Sequence, residues 1–162
     1  MTMANNNIAE KPALRELLIT RAFRAPCERV FRAWTDPVRV AEWWGPKGFT
    51  NPMVDVDARP GGVIRIGMRG PDGIMYPVQG VFLEVFEPQQ LMFTTSAIEG
   101  KDGVPQLETL NTAAFAPRGA GTELTLRVVI IKHGPGTDDG LAGMEEGWTQ
   151  SLDRLAAYLE KA

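Results

Sequence analysis

Apolar residues recur along the chain with two different periods. Near the start, Leu17, Ile19, Ala22 and Phe23 stand among charged neighbours within Leu14–Arg24, which reads as a strand. The period then lengthens. Pro26 suits the first turn of a helix, where its missing N–H costs nothing, and Val30, Phe31 and Trp34 share one helical face. Asp36-Pro37 restarts a helix, with Asp36 as N-cap and Pro37 in the first turn. Val40, Trp43 and Trp44 form its apolar side, and Gly45-Pro46 ends it. From Phe49 to Ile131 the pattern is strand-like, broken by turn signals at Gly61-Gly62, Pro71-Asp72-Gly73, Glu87-Pro88, Gly100–Pro105 and Arg118-Gly119. Ile64, Ile66 and Met68 alternate with Arg65 and Gly67; Leu124, Leu126, Val128 and Ile130 alternate with Thr125 and Arg127. Leu141, Met144, Trp148, Leu152, Leu155 and Leu159 then follow at intervals of 3, 4, 4, 3 and 4, a mean of 3.6. A helix of that span reaches about 30 Å, enough to cross a sheet.

These elements predict an α+β fold. A curved antiparallel sheet of six to seven strands wraps on a long C-terminal helix, with two short helices after the first strand. Residues 1–13 read as a flexible tail and residues 14–162 as one domain. A gap between sheet and helix would be an enclosed apolar pocket.

Composition narrows the function. The 162 residues suit one domain, and 44% hydrophobic with 23% charged residues is an ordinary globular balance. Seventeen Lys and Arg against twenty Asp and Glu leave a net charge of −3, so no basic surplus points to nucleic acid. The longest apolar run, Leu155–Leu159, is far too short to span a membrane. Met1–Glu10 shows no basic region followed by an apolar stretch, so no secretory signal is expected. A single cysteine and a single histidine leave no internal disulfide, no Cys cluster and no His-rich zinc site. The expected setting is the cytoplasm, with no metal and no cofactor.

Several motifs stand together. They are Arg24-Ala25-Pro26, Val30–Pro37, Trp43-Trp44-Gly45-Pro46, Gly48-Phe49, Asp57-x-Arg59-Pro60-Gly61-Gly62 and Gly70-Pro71-Asp72-Gly73. Gly80-x-x-x-Glu84, Gly121-Thr122-x-Leu124-Thr125-Leu126 and Gly147-Trp148-x-x-x-Leu152-Asp153-Arg154-Leu155 follow. In this set the chain resembles, from about Leu17 to Leu159, the bacterial proteins similar to the C-terminal domain of the activator of Hsp90 ATPase. These belong to the START/Bet v 1-like superfamily of polyketide cyclases and lipid carriers. The resemblance implies a helix-grip fold and a hydrophobic cavity for a small ligand. At Ile64 the family often carries a large aromatic residue, so the pocket here would differ in size or shape.

The expected cavity residues come from three regions. The short helices supply Phe31, Trp34, Trp43 and Trp44; the strands supply Ile64, Ile66, Met68, Met75 and Phe93; the long helix supplies Met144, Gly147 and Trp148. Adjacent helix positions point about 100° apart, so Trp43 and Trp44 cannot both face one core. Methionines adapt to irregular ligands and equally to irregular cores. Trp148 stands centrally in the helical stripe, which predicts deep packing. Gly143, Gly147 and Ser151, four apart, lie on one side of that helix, and serve either close backbone packing or room for a ligand.

Arg65, Glu84 and His133 are the polar residues to test as anchors. Asp55, Asp57 and Arg59 read as an ordinary outer sheet face. Gly61-Gly62 lacks a following helix and Lys-Ser/Thr, so it is a turn and not a phosphate loop. Cys27 in a helical first turn has no neighbouring His or Cys to make a nucleophile. Lys132–Gly140 reads as a loop able to gate a cavity. No catalytic constellation emerges. The leading expectation is binding of a small hydrophobic or amphipathic ligand between sheet and helix. The alternatives are a cyclase, aromatase or hydrolase using the same cavity, and a protein-interaction module of the Hsp90-cochaperone kind; a homodimer is compatible with each.

Overall fold

The structure is a computed structural model and describes residues 16–99, 105–133 and 138–161. The tail expected at residues 1–13 lies outside the described residues. The chain forms β1 (Glu16–Phe23), α1 (Cys27–Thr35), α2 (Pro37–Trp43), β2 (Thr50–Val56), β3 (Val63–Arg69), β4 (Met75–Phe86), β5 (Gln90–Glu99), β6 (Pro105–Arg118), β7 (Gly121–His133) and α3 (Asp138–Lys161). The strands make one antiparallel sheet in the order β1-β7-β6-β5-β4-β3-β2. Each strand pairs with its successor except β1, which pairs with β7. The two short helices therefore carry the chain from one edge of the sheet to the other. This curved sheet, closed by a long helix, is the helix-grip fold.

Local chemistry sets the joints. Asp36 ends α1 and caps α2, accepting the Val38 N–H on Oδ1 at 2.9 Å, with Pro37 in the first turn. After α2, Gly45 takes φ +94°, which releases the chain toward β2. At the β2–β3 turn a side chain on Gly62 would put its Cβ 1.8 Å from the Asp57 carbonyl oxygen, so only glycine fits there.

The core follows the two periods. Leu124, Leu126 and Val128 of β7 are buried while Arg127 is exposed. Leu152, Leu155 and Leu159 of α3 meet them from the concave side, together with Phe23, Val30, Phe31 and Trp43. Arg29 of α1 donates to the Leu159 carbonyl, tying down the end of α3. The long helix begins earlier than the expected loop allows. Lys132 and His133 belong to β7 and residues 138–140 to α3, while residues 134–137 lie outside the described residues.

Candidate ligand cavity

A cavity of about 220 Å³ lies between the sheet and the first half of α3. The segment after α2 contributes Trp44, Gly45 and Pro46; β3 and β4 contribute Met68 and Val78. Thr95, Leu107 and Thr109 come from β5 and β6, and Met144, Gly147, Trp148 and Ser151 from α3. A dry cavity of about 150 Å³ holds benzene, so this one has room for a substituted aromatic ring or a short amphipathic chain.

Aromatic rings build one wall. Trp148 stacks on Trp34 with ring centroids 6.0 Å apart at 14°, and meets Trp44 edge-on at 5.6 Å. Trp43 and Trp44 diverge as their spacing requires. Trp43 is fully buried and its Nε1–H donates to the Ala33 carbonyl at 2.9 Å, while Trp44 is half-buried and faces the cavity. Another wall is held by Arg154 of α3. Its Nη1 donates to the carbonyls of Trp44, Gly45 and Pro46 at 3.0, 2.9 and 2.9 Å. Those carbonyls follow the negative end of α2, where a cation is favoured. Burial draws the Arg154 guanidinium below its ordinary value, and the charge of Glu42 opposes that shift. Gln150 adds an acceptor for the Lys47 N–H at 3.1 Å.

Residues 24–160 match the family model described as Activator of Hsp90 ATPase homolog 1-like protein. The chain belongs to this family. Among curated proteins none matches. Solved structures agree over nearly the full length. A protein of Nitrosomonas europaea is 27% identical, with 90% of this chain and 94% of that chain covered and a TM-score of 0.76. The AHSA1 protein of Silicibacter pomeroyi is 29% identical, covering 90% and 98%, with a TM-score of 0.75. A protein of Mycobacterium smegmatis is 28% identical, covering 89% and 90%, with a TM-score of 0.75.

Within this family member, the expected cavity residues fall into three groups. Trp44, Met68, Met144, Gly147 and Trp148 line this cavity. Trp34, Ile64, Ile66 and Phe93 border a second void of about 20 Å³, with room for no more than a water. Phe31 and Trp43 line neither; Phe31 packs edge-on against Phe115 at 5.6 Å. Met75 departs from the expectation. It pairs with Arg69 three positions before the inward Val78, so the two-residue period turns it to the outer face, where it is exposed. There it covers Gly67 beside Met53.

Trp148 is half-buried at the cavity wall and not in the depth of the core. A helical period reports a face, not how closely that face approaches the sheet. Two of the three expected anchors also point outward. Arg65 is exposed on the outer face, 3.8 Å from Asp55. Glu84 is turned out by a bulge: between Phe82 and Glu84 the register with β5 shifts by one residue. Phe82 and Val85 then face in, and Glu84 takes a weak contact from Gln90 at 3.4 Å. The side chain of His133 lies outside the described residues.

Of the polar groups that do line the cavity, only Ser151 stands out in the sequence, on the glycine side of the long helix. Thr95, Thr109 and Ser151 line it, and the fully buried Asn111 stands behind them. Their signal was present in β6, where Thr109 and Asn111 share the inward parity of Leu107, Ala113 and Phe115. No Asp, Glu, Lys, Arg or His lines the cavity among the described residues. No helix there is long and apolar enough to cross a membrane.

Proposed function

We propose that this protein binds a small hydrophobic or amphipathic molecule in the cavity between the sheet and α3. The observation that carries the reading is the cavity itself, about 220 Å³ walled by Trp44, Met68, Val78, Leu107, Met144 and Trp148. Apolar surface of that kind is favourably covered by a ligand, at about 25 cal/mol per Å² removed from water. Thioethers and indole faces accommodate ligands of varied outline. Membership of a START/Bet v 1-like family supports the reading, because such folds commonly take hydrophobic ligands in this position.

Two measurements test it. Native mass spectrometry of protein purified without denaturant should show a co-purifying small molecule or accept an added one. Titration with 4-propylphenol and 4-propylanisole should shift the backbone amide signals of Trp44, Gly45, Thr109 and Gly147 in NMR spectra. Shifts scattered over the outer sheet face, or none from any apolar probe, would refute a cavity ligand.

A further inference from the structure

We infer that the floor of this cavity takes a hydrogen-bond donor, so that its ligand presents an uncharged hydroxyl or N–H group and is not a carboxylate. The inference rests on the ligand-binding reading above and adds the chemical class of the ligand.

The direction of every hydrogen bond on the floor can be worked out. The Phe93 carbonyl can only accept, so Asn111 must present its amide Nδ2 there, at 3.3 Å. The same Nδ2 gives its second hydrogen to Thr95 Oγ1 at 3.2 Å. Asn111 Oδ1 then accepts the Thr109 hydroxyl at 3.1 Å. Thr109 Oγ1 also lies 2.9 Å from Thr95 Oγ1. The only Thr109 proton is already given to Asn111, so Thr95 is the donor of that bond. The three residues form a closed ring that runs one way, from Asn111 to Thr95 to Thr109 and back to Asn111. Beside it, Ser151 donates its hydroxyl to the Gly147 carbonyl at 3.0 Å.

Among the described residues every hydroxyl on the cavity wall, those of Thr95, Thr109 and Ser151, has thus given away its proton and keeps only acceptor lone pairs. A ligand O–H or N–H can bind there without disturbing the ring. A ligand group that only accepts would, at this floor, have to pull a threonine proton out of the ring and leave a buried acceptor unpaired, which is costly. Among the described residues the wall's remaining side-chain donors are indole N–H groups, including the Trp34 Nε1–H, buried without a partner behind Trp148, and none carries a charge to offset an anion. No cationic side chain among the described residues lines the cavity, and the Arg154 Nη1 is already shared among three carbonyls. A buried carboxylate would lack the partner that makes its desolvation tolerable.

Three probes of similar size separate the possibilities: 4-propylphenol, 4-propylanisole and 4-propylbenzoate, titrated into the full chain at pH 7. Quenching of tryptophan fluorescence reports affinity and NMR amide shifts report the site. The phenol should bind about fivefold tighter than the anisole, the net worth of one neutral hydrogen bond, and the benzoate weakest of the three. Equal affinity for phenol and anisole, or a preference for benzoate, overturns the inference and leaves the binding reading standing. Failure of all three to bind overturns both. Thr109→Val opens the ring and should shrink the phenol preference to less than about twofold, whereas Thr109→Ser keeps it. A folded Thr109→Val protein with the full preference overturns the assignment to the ring. If that variant does not fold, the three probes on the unaltered chain still decide.

Discussion

Gly147→Ala tests the structure where stability and binding are expected to move in opposite directions. Gly147 sits in the interior of α3, where glycine is about 1 kcal/mol less favourable than alanine. Among the described residues a Cβ built there meets only Pro46 Cγ, at 3.9 Å, which is ordinary contact. The new methyl clashes with nothing and restricts the unfolded chain, so the protein should gain about 0.5–1 kcal/mol. For a chain of this length that raises Tm by roughly 1–4 °C. The same methyl projects into a cavity of about 220 Å³. A ligand that fills the cavity must surrender about a methylene of contact, roughly a tenfold loss of affinity. Urea denaturation and titration with 4-propylphenol measure the two effects on the same sample. Two glycines calibrate the result. At Gly143 no atom of the described residues beyond the helix's own backbone and the two chain neighbours lies within 4 Å of the built Cβ, so Gly143→Ala should stabilise without touching affinity. At Gly80 the Cβ would lie 1.8 Å from the Thr94 carbonyl oxygen, so Gly80→Ala should destabilise by about 3 kcal/mol. A Gly147→Ala protein destabilised by more than about 1 kcal/mol with unchanged affinity would refute the reasoning, because it would mean α3 packs closely there.

Trp148→Ala should cost about 1–2.5 kcal/mol, less than the 3–5 of a fully buried tryptophan, because the ring is only half-buried and its chief contacts are with Trp34 and Trp44. Urea unfolding checks the magnitude, and 4-propylphenol binding should fall sharply in the same variant. Arg154→Met removes the charged donor that holds three successive carbonyls, at a cost of about 1.5–3 kcal/mol. Hydrogen exchange should speed up across residues 44–47, and unchanged protection there would show that the contact is incidental. Asp72 governs one acid response: the Ile74 N–H, donating at 2.9 Å, and then the Tyr76 hydroxyl, donating at 2.8 Å, hold its carboxyl below the usual value. A depressed carboxyl contributes stability above its unfolded pKa, near 4, and loses it as pH falls through the lower folded value. The urea midpoint should therefore drop on acidification below about pH 4, and Asp72→Asn should flatten that drop.

The fold was legible because its elements are long and strongly periodic. The 3.6 spacing from Leu141 to Leu159 and the alternation from Leu124 to Val128 leave little choice of element, and Asp36-Pro37 and Pro71-Asp72-Gly73 mark joints by backbone chemistry. The site was legible only in its apolar part. Glu84 was misplaced because a bulge changes which residues share a face, and a bulge has no reliable signature in a single strand. Met75 was misplaced because its parity depends on Val78, three residues on, and no continuous alternation links the two through Pro77. Thr95, Thr109 and Asn111 escaped notice because threonine and asparagine look ordinary on an outer strand face. Only the pairing of β5 with β6 shows that they face inward and meet one another.

The same helix carries stability and the cavity on different residues, and its composition shows why. Its apolar stripe is evenly spaced, but the side chains change along it. Leu152, Leu155 and Leu159 are branched, compact and almost wholly buried, and they press the second half of α3 onto the sheet. Arg29 holds the carbonyl end of that half, and Arg21 pairs with Asp153 at 2.6 Å beside it. Met144, Gly147 and Trp148 occupy the first half. Trp148, half-buried, stacks on Trp34 and props this half of the helix away from the sheet. Gly147 leaves empty the space that this separation creates. Arg154 and Gln150 then fasten the Trp44–Lys47 segment to the helix, giving the gap a wall that does not depend on core packing. The cavity is therefore no packing defect of a marginal core. It is the consequence of a helix anchored by leucines at one end and propped by an indole at the other.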